Sequence, residues 1–266
     1  MLKDITLGQY FPGNSVVHRL DAMMKIIFSM IYLVVIFIIK GFAGYAAILV
    51  FTAAVIYVSG IPFKFVLKGI KPLWIFVLFT SVLNLFMTQG TPIWQWGILK
   101  ITQEGVNYSV IMILRLVFLV MGTSMLTYTT SPIALTDGIE RLLAPVGKIG
   151  FPTHELAMMM SIALRFVPTL LEETDKIMKA QTARGADFTS GSLIRRAKAL
   201  IPLLVPLFIS AFRRADELAV AMECRCYRGG KGRTRLNPAK VSRIDFVGLF
   251  ILILLATTVI LINMTR

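Results

Sequence analysis

The sequence predicts an all-α polytopic membrane protein with about five transmembrane helices and a cytoplasmic helical region that includes two long helices. Hydrophobic residues make up 56% of the 266 residues and charged residues only 16%, whereas soluble domains are about 25% charged. A chain this apolar must bury its surface in lipid or against a partner. The composition therefore excludes a simple soluble domain and a disordered chain. The apolar runs and the placement of the basic residues are the other two observations.

Five apolar runs are long enough to cross a bilayer, which takes about 20 mostly apolar residues, or somewhat fewer with snorkelling ends. These runs comprise residues 26–39, 42–59, 72–87, 108–128 and 244–264. The segment before the first run has no apolar stretch, which argues against a cleavable signal peptide. Two further runs, at 155–171 and 199–212, contain prolines, and their length and composition leave them ambiguous.

The basic residues help to place the two ambiguous runs, and whether 155–171 touches or enters the membrane is left open. If both crossed the membrane as a hairpin, the loop between them would carry six Lys and Arg residues outside, against the positive-inside rule. With five spans, the outer segments hold only three basic residues, and the amino terminus is cytoplasmic. The predicted domains are a membrane domain with four helices at 1–130, a cytoplasmic domain at 131–243 and a final transmembrane helix at 244–266, whose carboxyl terminus lies outside.

The net charge of +14 has the same explanation. Basic cytoplasmic segments face the anionic lipid surface and an acidic partner, so the charge is not taken as a sign of nucleic acid binding. The bilayer itself is therefore one expected partner of the chain.

The first long helix of the cytoplasmic domain is bounded by recognisable end signals. Thr153 is its predicted N-cap, and Glu155 lies in the first turn, where a carboxylate complements the helix dipole. Pro168 is expected to bend the helix. Gly185 is placed to end it, because glycine adopts the left-handed conformation of a helix C-terminus without strain.

The second long helix has a similar plan. It is predicted to begin near Ser192 and to be distorted at Pro202 and Pro206, since proline lacks a backbone donor. Its charged rear half is predicted to end before Gly229-Gly230. Both helices thus combine an apolar front half with a polar rear half.

Each long helix ends in a short motif centred on an arginine. The motifs are Ala183-Arg184-Gly185 with Phe188 beyond it, and Cys224-Arg225-Cys226 with Tyr227 beyond it. Either arginine alone would be explained as a helix-terminal cation facing water. Two of them, 41 residues apart in matching contexts, favour docking knobs that enter grooves on a partner, with the aromatic residues as anchors. Met158, Met159 and Met160 are predicted to add adaptable partner contacts near the membrane surface.

Most catalytic chemistry is absent from the sequence. There is no phosphate-binding loop, and His18 and His154 are far apart without a carboxylate cluster, which argues against a zinc site or a catalytic triad. Arg115 is the one ionisable residue deep in a predicted span, and no Asp, Glu or His in the spans forms an evident proton relay. A self-sufficient secondary transporter or channel is the alternative function, and Arg115 is its only candidate polar path. A membrane-bound enzyme would need a catalytic cluster that the sequence lacks.

Four stretches resemble the T component (EcfT) of energy-coupling factor transporters, which are ATP-driven importers of vitamins and micronutrients. The resemblance lies in residues 10–21, in 163–168 leading into 180–185, in 202–207 leading into 213–219, and in 227–234. Two departures stand out. Ala22-Met23 replaces the family's frequent Pro-Arg, and Cys224-Arg225-Cys226 stands where Ala-Arg-Gly is usual. Gly229-Gly230 is therefore expected to take over the helix-ending role.

The resemblance implies a set of partners and a mechanical role. Two ABC-type ATPase subunits would receive the two long helices, which are then coupling helices, and a membrane S component, one or several exchangeable ones, would bind the substrate. ATP and Mg²⁺ would be bound by the ATPases, so the chain itself is expected to hold no cofactor and to be no enzyme. The expected location is the bacterial cytoplasmic membrane.

Overall fold

The computed structural model describes residues 10–96, 99–147, 149–188, 192–230 and 241–264. Within these residues the chain forms ten α helices, one 3-10 turn at Lys71–Leu73, and one β hairpin. The helices are α1 (Val16–Arg19), α2 (Ala22–Ile38), α3 (Phe42–Ser59), α4 (Phe63–Ile70), α5 (Trp74–Met87), α6 (Gln103–Thr129), α7 (Pro132–Gly147), α8 (Thr153–Ala183), α9 (Leu193–Cys224) and α10 (Arg243–Met264). The all-α polytopic fold class is confirmed.

In the described part of the chain, five helical segments are long and apolar enough to cross a membrane. They are Phe42–Ser59, Phe63–Met87, Gln103–Thr129, Thr153–Ala183 and Arg243–Met264. Four of them contain or match predicted spans. The fifth segment is α8, which was predicted as cytoplasmic. In addition, α2 was predicted as the first span but is only 17 residues long. At 1.5 Å per residue α2 covers about 25 Å, at the lower limit of a span.

The segment between α5 and α6 forms an antiparallel hairpin of β1 (Pro92–Trp96) and β2 (Leu99–Thr102), which the sequence analysis did not predict. Local polar contacts attach the hairpin to the start of α6. The Thr102 hydroxyl caps α6 by accepting from the Gly105 amide at 3.0 Å, and the Glu104 carboxylate accepts from the Thr91 amide at 2.8 Å. The hairpin thus closes onto the helix N-terminus, where a carboxylate is favoured.

Residues 10–141 and 241–264 form one compact unit, the membrane unit, and residues 142–230 form another. The core of the membrane unit is built from α2, α3, α6 and α10, with Ile36, Ile48 and Val259 fully buried. The buried Tyr32 hydroxyl donates to the Phe118 carbonyl at 3.2 Å and shares a 2.9 Å hydrogen bond with Thr52. The predicted borders at 131 and 243 concern the position of the bilayer and stay a prediction.

A buried carboxylate joins the beginnings of α2 and α10. Asp245 is fully buried and accepts from the backbone amides of Asp21 at 2.9 Å and Ser242 at 2.6 Å. The bond to Ser242 is half of a capping box, in which a third-position carboxylate satisfies the N-cap amide. No relay carboxylate was expected in the spans, and Asp245 was not recognised from the sequence. It lies within predicted span 244–264, where its geometry is that of a helix cap.

A buried lysine and a partly buried arginine extend this polar cluster to α6 and α7. The Lys25 ammonium donates to the carbonyls of Thr129 at 2.8 Å and His18 at 3.2 Å. The Arg141 guanidinium makes a bidentate ion pair with the Asp21 carboxylate, and this carboxylate raises the pKa of Arg141. The charges are thus compensated where four helix ends meet, as buried charges must be.

Arg115 has structural partners as well. Its Nε donates to the Tyr45 hydroxyl and its Nη2 to the Ile39 carbonyl, both at 3.2 Å, and its guanidinium lies 5.8 Å from the centroid of the Phe37 ring. Ile39 is the C-cap of α2, so Arg115 satisfies an end carbonyl and complements the negative end of the helix dipole. This geometry accounts for Arg115 without a transport pathway.

The two long helices confirm some of the predicted end signals and contradict others. α8 is continuous through Pro168, and α9 is continuous through Pro202 and Pro206, so none of these prolines ends a helix, and the predicted bends stay predictions. Glu155 lies in the first turn of α8, as predicted. The prediction of Thr153 as N-cap was wrong by one position, since Thr153 is the first helical residue. Pro152 occupies the cap, where it makes no side-chain capping bond.

We expect Asp245→Ala to destabilise the membrane unit, because it leaves two buried backbone amides without an acceptor. The expected loss is about 1–3 kcal/mol of unfolding free energy, measured as a lowered melting temperature of the detergent-solubilised chain. Asp175→Ala is the matched control: its carboxylate makes only a surface i,i+4 pair with Lys179 at 3.4 Å, worth about 0.5 kcal/mol or less. Equal shifts for the two variants would contradict the capping role of Asp245.

Candidate functional site

The candidate site consists of the carboxyl ends of α8 and α9, which belong to the same compact unit. The two helices are joined by an ion pair in which Arg214 Nη2 donates to Glu173 Oε2 at 3.1 Å, and the Ser210 hydroxyl also bonds Glu173. Glu173 lies ten residues before the end of α8, and Arg214 ten residues before the end of α9. Each helix end therefore extends about 15 Å beyond the ion pair.

The end of α8 is a Schellman motif. Arg184 is the C-cap, and Gly185 follows in the left-handed conformation with a φ of 87°. The Gly185 amide donates to the Thr182 carbonyl and the Ala186 amide to the Gln181 carbonyl, both at 3.0 Å. These two bonds define the motif and satisfy carbonyls that the helix leaves open. The predicted role of Gly185 is confirmed.

The end of α9 repeats this geometry with cysteine in the glycine position. Cys226 has a φ of 55° and is the one non-glycine residue with positive φ among those the structure describes. Its amide donates to the Glu223 carbonyl at 2.8 Å, and the Tyr227 amide donates to the Met222 carbonyl at 3.0 Å. The expectation that Gly229-Gly230 ends this helix was wrong. The chain turns three residues earlier, at Cys226, which adopts the left-handed conformation and makes the closing backbone bonds.

The six motif residues are all exposed. Ala183, Arg184 and Gly185 form one end, and Cys224, Arg225 and Cys226 form the other. Within the described ranges, neither Arg184 nor Arg225 makes an ion pair. Both guanidinium groups are thus available to bind a carboxylate or a row of carbonyls on another surface.

The other predicted contact residues are placed differently. Phe188 and Tyr227 are half-buried next to the arginines, and the Tyr227 hydroxyl is buried within its own chain. Met159 and Met160 are about half-exposed and Met158 is half-buried. These methionines lie near the start of α8, about 36 Å along the helix from its arginine end. The structure therefore does not bring the methionines together with the arginine motifs.

A broad exposed apolar face on α9 was not predicted from the sequence. Its members are Ile201, Leu204, Val205, Phe208, Ile209 and Phe212, which are all exposed. Their three- and four-residue spacing places them on neighbouring positions of one helix side. In the sequence, the run 199–212 was considered only as a possible membrane span. The three- and four-residue spacing of its apolar residues was the signal that could have identified the face.

Potential metal ligands are few at the described ends of α8 and α9. No group of three His, Cys, Asp or Glu side chains that could hold a metal occurs among the described residues. Cys224 and Cys226 are free, exposed thiols, and two such ligands are fewer than a structural zinc site takes. His18 is engaged elsewhere, since its ring bonds the Ser15 hydroxyl at 2.7 Å and the Phe11 carbonyl at 2.9 Å.

We expect Cys226→Gly to stabilise the end of α9. A left-handed residue with a Cβ costs about 1–2 kcal/mol relative to glycine, and the backbone bonds of the motif do not involve the side chain. Hydrogen exchange of the backbone amides at positions 226 and 227 should be slower in Cys226→Gly than in the unmodified chain. Cys224→Gly is the control: position 224 is still helical, so glycine there should destabilise by about 1 kcal/mol. Faster exchange in Cys226→Gly would contradict the Schellman assignment.

Comparisons with known proteins identify the family. The profile of the cobalt transport protein family, CbiQ, matches residues 13–236. The energy-coupling factor transporter transmembrane protein EcfT of Clostridium kluyveri is 61% identical over 249 residues, covering 93% of this chain and 92% of that protein. The EcfT protein of Ruminiclostridium cellulolyticum is 56% identical over 263 residues, covering 99% and 98% of the two chains.

A further relative shares a lower identity. EcfT of Bacillus subtilis is 51% identical over 236 residues, covering 88% of this chain and 89% of that protein. The matched region contains both arginine motifs and most of the membrane unit, although the matching tail at 232–234 lies outside the described residues. The fold, the paired helix ends and these matches agree, and the chain belongs to the CbiQ family as an EcfT-type transmembrane protein of energy-coupling factor transporters.

Proposed function

We propose that this chain is the coupling subunit of an ATP-driven importer for vitamins or micronutrients. It connects two ABC-type ATPase subunits, which bind ATP and Mg²⁺, to a membrane S component that binds the substrate, with one or several S components exchanging on it. The chain itself holds no nucleotide or metal and catalyses no reaction. It lies in the bacterial cytoplasmic membrane with its amino terminus and residues 131–243 on the cytoplasmic side and its carboxyl terminus outside.

One observation carries this proposal: the ends of α8 and α9 have the same backbone geometry and each exposes one arginine. A pair of matching ends suits a pair of matching grooves, as two homologous ATPase subunits would provide. An arginine at a helix terminus can enter such a groove and bind several acceptors at once, because its guanidinium has five donors in a planar fork. The small neighbours Ala183 and Gly185 let the partner's backbone approach.

The ion pair between Glu173 and Arg214 suggests how motion is transmitted. It ties the helices about 15 Å from their arginine ends and, on α8, about 21 Å from Met159 on the other side. When ATP binding closes the ATPase pair, the grooves move and carry the two ends with them. The helices then rotate about the ion pair between Glu173 and Arg214, so that their front halves move as well.

The exposed apolar front halves are the proposed contact surface for the S component. Phe208 and Phe212 are 60% and 69% exposed. Neighbouring aromatic side chains with such high exposure are expected to be covered by a membrane partner. Met159 and Met160 offer flexible contacts that can repack against different partners. Movement of this surface would reorient the S component and release its substrate inside.

We expect Arg184→Glu with Arg225→Glu to abolish ATPase binding while the chain still inserts and folds. Each lost contact is worth about 2–5 kcal/mol, so each change should weaken the complex by about 30-fold or more. Copurification of the ATPases from membranes measures the effect. Arg213→Glu is the control, since Arg213 is exposed on α9 but 11 residues before Cys224. Undiminished ATP-driven uptake by the double variant would overturn the docking role.

We expect Phe208→Asp with Phe212→Asp to have the opposite effect, with loss of the S component and retention of the ATPases. The charges should remove the S component, because a desolvated carboxylate cannot replace an apolar contact, while the ATPases remain bound to the arginine ends. Copurification of each partner is the measurement. Ile194→Asp, an exposed apolar position at the start of α9, should leave both partners bound. Retention of the S component by the double variant would show that it binds elsewhere.

A further inference from the structure

A cleft of about 320 Å³ lies between four helices of the membrane unit. Its walls come from the early turns of α2 and α10 and the late turns of α3 and α6, and the short helix α1 contributes Val16, Val17 and Leu20. Early turns of two helices and late turns of the other two meet at one end of the helix bundle. In the predicted topology, this end of the bundle lies in the cytoplasmic leaflet.

The length of the cleft fits one leaflet. Its lining on α10 runs from Ile244 to Leu252, eight residues or about 12 Å along the helix. The hydrocarbon region of one leaflet is about 15 Å thick, half of a bilayer core of about 30 Å. An extended hydrocarbon chain of a lipid in that leaflet would lie along this lining for most of its length.

The chemistry of the lining selects an apolar occupant. Most lining residues are aliphatic or aromatic, and Ser29 and Ala54 leave room through their small size. Three of the lining hydroxyls already have partners, since those of Tyr32 and Thr52 bond each other at 2.9 Å and that of Thr129 donates to the Met125 carbonyl at 2.8 Å. Lys25 also lines the cleft, and its two bonds to backbone carbonyls leave one of its three donors for an oxygen of a ligand.

Two exposed cations are immediate sequence neighbours of residues that line the cleft. Arg19 precedes the lining residue Leu20, and Arg243 precedes the lining residue Ile244. The 2.9 Å bond from the Asp21 amide to Asp245 ties these two segments together. In the portion of the chain that the structure describes, neither Arg19 nor Arg243 makes an ion pair. The nearby carboxylates are engaged, Asp21 by Arg141 and Asp245 by backbone amides.

We propose that this cleft binds one acyl chain of an anionic phospholipid, whose phosphate contacts Arg19 and Arg243. The apolar walls accommodate the chain, and the two guanidinium groups and the remaining Lys25 donor recognise the phosphate and ester oxygens. Basic pockets between transmembrane helices on the cytoplasmic side are the type of site that anionic headgroups occupy. The lipid would wedge against α2 and α10 and stabilise the junction that Asp245 forms. This inference does not depend on the proposed coupling function.

The test uses the full chain in detergent, titrated with dioleoylphosphatidylglycerol and observed by native mass spectrometry. We expect one retained lipid per chain, and Ala54→Trp, which fills the cleft, should weaken its binding by about tenfold or more. Ala53→Trp is the matched control, because Ala53 is the adjacent exposed residue of α3 and does not line the cleft. Ser29→Leu is a second filling variant, and circular dichroism verifies that each variant is folded.

The headgroup is tested separately by Arg19→Gln with Arg243→Gln. This variant should reduce the preference for dioleoylphosphatidylglycerol over dioleoylphosphatidylcholine by about fivefold or more, since the phosphate contacts are charge-assisted. Lys64→Gln with Lys68→Gln removes two exposed charges of α4 and should leave the preference unchanged.

Three results would overturn the proposal. The first is equal lipid binding by Ala54→Trp and the unmodified chain. The second is a neutral isoprenoid found in the purified chain and displaced by both filling variants. The third is loss of a membrane partner in Ala54→Trp with phosphatidylglycerol binding unchanged, which would assign the cleft to a partner helix.

Discussion

The ion pair between Glu173 and Arg214 relates the two halves of the candidate site to each other. Without a fixed contact, two helices of 31 and 32 residues would present their ends at no defined separation. Glu173 and Arg214 are 41 residues apart, the same spacing as Arg184 and Arg225. Equivalent positions of the two helices therefore meet, and their ends lie equally far beyond the contact. Arg214 and Glu173 are both partly exposed, so water partly screens the pair.

The fold was largely predictable because the signals that specify it are local. Apolar length gave the helices of the membrane unit, and Gly185 gave the end of α8. The hairpin at 92–102 was missed because it is short and held by the caps of α6, which involve Thr91, Thr102 and Glu104. The assignment of Gly229-Gly230 failed for a different reason. Glycine is only the preferred residue at a helix end, and a cysteine can take its place at a modest energetic cost.

The candidate site was predicted in its residues but not in its geometry. The repeated arginine context was visible in the sequence, whereas the identical hydrogen bonds of the two ends and the ion pair between the helices were not. The charges of the membrane unit show the same limit. Asp245, Lys25 and Arg115 all satisfy backbone groups at helix ends, and such contacts connect residues more than 70 positions apart. Hydrogen-bond partners this far apart in the sequence cannot be identified from single segments.

The two cysteines of the chain both flank Arg225, and none flanks Arg184. Two ends with the same backbone are thereby made chemically distinguishable. A thiol-directed spin label or fluorophore would mark the α9 end alone, without any engineered residue. Oxidative or electrophilic modification of the thiols would likewise alter the end of α9 and leave the end of α8 unchanged. Only one of the two matching helix ends would then be affected.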